Sequence, residues 1–243
     1  MSRTIQDSIN ANQPFIEYGP LASGSGYEPA ISIANGIQAM VTEPPFTWGW
    51  NRKEDSSLNT IAGTQDYTGN ITDFGFLEKV TLVDPSGVPF DVSDVYNNAA
   101  LGVGDYTVAR QARPNAVCVL YLTYGTSLRL RFLAVPDKIY AATLTYQKLV
   151  APMSTLTGTT GTWTIPDQYL DIYNALFLGE ALAVYDDARS QVYRQRGVTA
   201  LLAKSEGLTE MQKNLFLEQY WARAGQQQQT ALVRQQAQQS RGV

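Results

Sequence analysis

The hydrophobic period changes twice along this chain, and a proline stands at each change. Before residue 45 the apolar residues recur at helical spacing. Ile5 and Ile9 lie four apart, and Pro14 and the loop "YGPLASGSGYEP" then break the run. Ile33, Ile37, Met40 and Val41 form one stripe behind Pro29, a residue suited to the first helical position. Pro44-Pro45 must end that helix, because the second proline forbids the α conformation at the first.

From about Trp48 to Ile165 the period is that of strands. "FLEKVTLVD", "YTVARQ", "AVCVLYLTYG", "SLRLRFLAV" and "IYAATLTYQK" are rich in β-branched and aromatic residues, and turn signals such as Asp84-Pro85-Ser86-Gly87 separate them. In "SLRLRFL" the apolar Leu128, Leu130 and Phe132 alternate with Arg129 and Arg131. That pattern predicts a strand with one face buried and an arginine face that is wet or bound to a partner. At Pro166-Asp167 the period turns helical again. Leu170, Tyr173, Phe177, Ala181, Val184, Ala188 and Val192 predict one long helix, interrupted at Gly197. A short helix ending at Gly207 follows. Thr209 and Gln212 then make a capping pattern ahead of a stripe of Leu208, Met211, Leu215 and Ala222.

Each helical end is too small to fold alone. The expected fold is therefore α+β: a helical bundle built from residues 1–45 and 166–225, with an antiparallel β domain (46–165) inserted as a sandwich or small barrel, and a C-terminal arm over 226–243. The crossing into the β domain is "TEPPFTWGWNRKED". Gly49 sets Trp48 and Trp50 on one face of an extended chain. Phe46, Trp48 and Trp50 then serve either as core at the domain junction or as a contact for a neighbouring subunit.

Chemistry of the catalytic kind finds little purchase. The chain has no histidine, which removes Ser-His-Asp and Cys-His arrangements and the usual zinc sites. Cys118, inside "AVCVLYL", reads as a buried strand residue, and a single cysteine permits no intrachain disulfide. "SGSG" at 23–26 lacks the strand before it and the Lys-Ser/Thr after it that a phosphate loop needs. Asp186-Asp187 read as a solvated helix face. Asp91, Asp94, Asn97 and Asp105 offer oxygen ligands without EF-hand spacing, so a capped short helix and turn is expected there. No catalytic residue, metal or cofactor is expected. The formal charge of −4 provides no basic field for nucleic acid. The first residues have no apolar core of a signal peptide, and no stretch approaches the ~18 apolar residues of a membrane span. A soluble product made in the cytoplasm is expected.

After Glu218 the chain has no acidic residue, while Arg223, Arg234 and Arg241 stand among many glutamines. This tail carries too little apolar surface to order itself. It is either disordered or ordered against a partner, with Leu232 and Val233 as anchors and Arg234 near an acidic groove.

The order of parts, a helical domain split by a β insertion and followed by a C-terminal arm, resembles the head-to-tail connector (adaptor) proteins of tailed bacteriophages. "YEPAISIANGIQAMVTEPPFTWGWNR", "TIAGTQDYT" and "FGFLEKVTLVD" resemble segments of phage structural proteins. The resemblance implies a virion protein of the neck, made in the host cytoplasm and not an enzyme. It implies a homo-oligomeric ring, twelvefold in the family, that joins the portal protein to tail or nozzle proteins and passes DNA without reading its sequence. It places the portal contact on the arm, with Gln226, Gln229, Leu232, Val233, Arg234, Gln235 and Arg241. A β block of more than ~100 residues is large for that family. An alternative reading, drawn from the tyrosine and tryptophan content, is a tail-tip or fibre-associated adhesin whose β domain binds a receptor or glycan.

Overall fold

The computed structural model of the chain describes residues 3–16, 29–69, 71–97, 111–123, 127–150, 161–185 and 187–222. Both ends of this range are helical and the middle is β, as the change of period predicts. Helix α1 (Ile5–Asn12) opens on a capping box in which the Asp7 carboxylate accepts the Thr4 backbone N–H at 2.8 Å. Helix α2 (Pro29–Thr42) stops ahead of the proline pair. After a 3₁₀ turn come α3 (Leu170–Val184) and α4 (Ser190–Lys204), and α5 covers residues 210–222.

The long helix expected from Leu170 onward is two helices, and the break falls at 185–189 rather than at Gly197. Asp187 turns the chain there. Its N–H donates to the Leu182 carbonyl at 3.1 Å, and its carboxylate accepts both the N–H and the guanidinium of Arg189. This residue therefore works as a local turn-former, not as part of a solvated helix face. Val184 and Val192, expected in the buried stripe, are exposed. Gly197 lies inside α4 because α3 crosses there: a Cβ on it would sit 2.6 Å from Leu176 Cγ, and one on Gly179 would sit 2.7 Å from the Arg194 nitrogen. Only glycine lets the two helices approach so closely.

The β region forms two four-stranded sheets. One has the order β1 (Arg52–Asn59), β10 (Ala141–Lys148), β3 (Phe74–Val83), β4 (Pro89–Asp91). The other runs β2 (Asp66–Gly69), β8 (Ser127–Phe132), β7 (Ala116–Thr123), β5 (Asp94–Tyr96). A small pair, β6 (Gln111–Ala112) and β9 (Val135–Pro136), completes the set. Val80, Leu82, Leu144 and Tyr146 of the first sheet share one apolar cluster with Val117, Leu128, Leu130 and Phe132 of the second. Among the described residues no sheet closes into a barrel. The pairing is mixed rather than wholly antiparallel, since β5 runs parallel to β7 and β6 parallel to β9. The segment from Asp91 onward gives strand β5 in place of the expected short helix; residues 98–105 lie outside the described residues.

Strand β1, "RKEDSSLN", is almost wholly exposed and has no apolar alternation. Among the described residues it is an edge strand paired only with β10, and its charges discourage edge-to-edge association. In the helical part, Ile5, Ile9, Ile37 and Val41 from the first end share a core cluster with Ile172, Leu176, Phe177 and Leu201 from the second.

Candidate partner-binding surfaces

The crossing peptide contacts both the helical core and the first sheet. Phe46 and Trp48 are fully buried and belong to the helical core. Trp48 Nε1 donates to the Val41 carbonyl at 2.8 Å, so the indole ties the end of α2 to the start of the sheet. Its ring meets Tyr169 edge-on at 5.0 Å, and Phe46 meets Phe216 of α5 in the same manner at 4.7 Å. Glu206, between α4 and α5, closes the clamp. Its carboxylate accepts the Gly49 N–H at 2.9 Å, and its carbonyl accepts the Thr47 hydroxyl at 3.2 Å. On the sheet side, Gln147 Nε2 donates to the Trp48 carbonyl at 3.1 Å, and Asn51 Nδ2 donates to that of Lys148 at 2.9 Å. Of the two readings of Phe46 and Trp48, core at the junction describes where they sit. Trp50 is half-buried beside them, with no acceptor for its indole N–H among the described residues.

Arg129 and Arg131 do point away from the sheet core, while Leu128, Leu130 and Phe132 point into it. Both arginines are engaged by Asp66 on β2. Arg131 bonds it twice, at 2.7 and 3.0 Å, and Arg129 once, at 3.0 Å. The Arg131 hydrogen bonds, helped by the charges of both arginines, hold the Asp66 carboxyl below its usual pKa. This face is thus an intrachain ion cluster. Cys118 is buried in β7, as expected. Asp91 is taken by Lys79 and Thr81, and Asn97 bonds both backbone groups of Leu77. No carboxylate and cysteine cluster able to hold a metal occurs among the described residues.

Three exposed features remain. The first is on α5. Its Phe216, Leu217 and Tyr220 pack on the helical core, while Met211 is 80% and Leu215 50% exposed on the opposite face, with Trp221 at the margin at 38%. Of the expected apolar stripe, Met211 and Leu215 therefore face outward, while Leu208, just ahead of the helix, packs on the helical core. The Thr209–Gln212 cap does form: the Thr209 N–H donates to Gln212 Oε1 at 2.9 Å, and the Gln212 N–H donates back to Thr209 Oγ1 at 3.3 Å.

The second feature is a groove of about 430 Å³ between α2, α3 and α5, floored by Ile33, Met40, Leu176 and Phe216. Beneath it Glu180 binds the buried Arg194 at 2.5 and 2.8 Å and accepts the Tyr220 hydroxyl at 3.4 Å. Burial, then the Glu180 charge, pushes the Tyr220 hydroxyl well above its usual pKa. Gly36 opens onto the groove, with nothing within 4 Å of where a Cβ would stand, and the exposed Glu43 lies at one end. Ser32 and Gly36, small residues four apart on α2, line this groove; no periodicity in the sequence marks them out.

The third feature is the far end of the first sheet. Register places Asn59, Ala141 and Val83 together there, opposite the end that meets Trp48. Beside these ends Ile61, Val88 and Ile139 are each more than half exposed, at 59, 57 and 62%. The arm residues expected to bind a partner, Gln226, Gln229, Leu232, Val233, Arg234, Gln235 and Arg241, lie outside the described residues. No helix is long and apolar enough to cross a membrane among the described residues. Compared with protein-family models and with curated proteins, the chain matches none.

Proposed function

We propose that this chain is a ring-forming head-to-tail connector of a tailed-phage neck, and that the helical elements of its two ends form one body from which the β domain projects. The observation that carries the reading is the outward face of α5. Met211 and Leu215, four apart on the last described helix, are exposed among the described residues, with Trp221 at the margin, ahead of the glutamine-rich arm. Exposed large apolar residues of this kind fit contact with another subunit. In this reading α5 packs against the next copy in the ring, and the arm meets the portal. The exposed Ile61, Val88 and Ile139 at the far end of the β domain face the tail side. DNA passes without being gripped, since each phosphate ion pair would slow it.

Native mass measurement of the purified protein, alone and after incubation with portal rings, tests the proposal. A closed ring of copies on the portal is the expected result. A monomer that ignores portal, or micromolar binding to duplex DNA at physiological salt, would count against a passive conduit. Binding of the isolated chain to host cells or surface glycans would favour the adhesin reading instead.

A further inference from the structure

We infer that the groove between α2, α3 and α5 is a docking site for the chain's own C-terminal segment, residues 226–243. Leu232 and Val233 would lie on its apolar floor, with an arginine of the segment at Glu43. The groove is of a size that ligands and peptide segments fill, about 430 Å³. Its floor is aliphatic and aromatic, from Ile33, Met40, Leu176 and Phe216. Gly36 leaves open space on the α2 wall, so nothing of the described chain occupies it.

Three facts select the occupant. Position is the first. Gln219 and Tyr220, on the last described turns of the chain, form one wall of the groove, and the remaining residues begin at 223. From there Leu232 is nine residues away, a span of up to about 30 Å when extended, so the segment reaches the groove with room to turn at Gly225. Tethering at this range gives a local concentration that a separate partner must exceed. Charge is the second. The chain carries Arg223, Arg234 and Arg241 and no acid after Glu218, while the end of the groove carries the exposed Glu43. Apolar content is the third. "ALV" at 231–233 contains the only leucine and, with the terminal Val243, the only valines beyond Trp221. The inference concerns the free chain, and it stands whether or not the protein proves to be a connector. If it is one, the portal must draw the arm out of the groove.

Trypsin reads this directly, because Arg234 lies within the segment. With the arm docked, cleavage after Arg234 in the full chain is slow. Filling the groove by Gly36→Trp is expected to speed it by about tenfold or more, since proteolysis follows the population of the open form. Leu232→Asp, on the segment itself, is expected to do the same without touching the folded body, and it decides the matter if Gly36→Trp disturbs folding by circular dichroism. Gly36→Ala should leave the rate unchanged. Equal rapid cleavage in wild type and Leu232→Asp overturns the inference. Protection that vanishes on dilution from about 100 to about 1 μM overturns the intrachain form of it, because a segment held by a second copy follows mass action. A benzophenone side chain introduced at position 232 provides the independent check. Its photo-crosslinks should fall within one chain on peptides containing Met40 or Phe216; crosslinks elsewhere on the chain overturn the assignment.

Discussion

Tyr173 is the residue with the most unusual balance of costs. Its ring is buried against Trp163 at 4.7 Å, yet its hydroxyl has no hydrogen-bond partner among the described residues. Burial alone pushes that hydroxyl well above its usual pKa. The unpaired hydroxyl carries a desolvation cost that phenylalanine would not, with the ring packing kept, so Tyr173→Phe should raise stability by about 1 kcal/mol, read as a higher urea midpoint at unchanged slope. Gly197 behaves in the opposite sense. A methyl there meets Leu176 Cγ at 2.6 Å with helix backbone on both sides, so Gly197→Ala should destabilise by about 1–3 kcal/mol despite alanine's better helix propensity. Asp66 supplies a pH signature. Its folded pKa is lowered by Arg131 from the ordinary 3.8. A group with a depressed folded pKa contributes stability that is present above the unfolded value and lost as pH falls through the folded one. Asp66→Asn should therefore cost about 1–2 kcal/mol at neutral pH. The difference from wild type should shrink below pH 3.8, and an undiminished gap at pH 2 would show that the cost is packing rather than charge.

At the scale of elements, α5 carries two apolar sets on one helix. Phe216 and Tyr220 recur four apart on one face, and Met211 and Leu215 recur four apart on the other. Either set satisfies helical periodicity, and the Phe46 ring decides between them by meeting Phe216. Of the stripe expected from the sequence, Leu208 packs on the core and Met211 and Leu215 do not. The outward set should be dispensable for folding. Met211→Ser with Leu215→Ser is expected to change stability by less than about 0.5 kcal/mol, as at other exposed sites, while abolishing ring formation as seen by native mass. A large fall in melting temperature would mean that this face is already covered within the chain. Strand β1 carries no periodic signal of its own. An edge strand of charged residues has no alternation to detect, and β1 is held by its backbone pairing to β10.

For the whole molecule, the crossing peptide couples the two regions. Trp48 touches the α2 carboxyl end, Tyr169 and, through its carbonyl, Gln147 of the sheet. Trp48→Ala should cost about 3–5 kcal/mol, the range for a fully buried large aromatic, and should lower the unfolding midpoint measured by probes in either region. Loss confined to the helical region would show that the β domain folds without this anchor. Removal of all residues after Gly225 should leave the chain folded, with the melting temperature lowered by no more than the few degrees that a docked arm contributes. In the connector reading it should abolish co-sedimentation with portal rings, and wild-type-like binding after truncation would remove the arm from that role.

The α+β order of elements, the end of α2 before Pro44, the in-and-out alternation of β8, the Thr209 cap and the burial of Cys118 were all legible from residues alone. Each rests on near-neighbour chemistry: a proline's missing conformation, a period of two, a side chain reaching three residues back. The break between α3 and α4, the parallel pairing of β5 with β7 and of β6 with β9, the outward turn of Met211 and Leu215, and the groove beside Gly36 were not. They depend on which of several equally periodic faces finds a partner distant in sequence. That choice is made by the total area and the close approaches of the assembled core, such as Gly197 on Leu176 and Phe46 on Phe216, and no local stretch of the chain contains it.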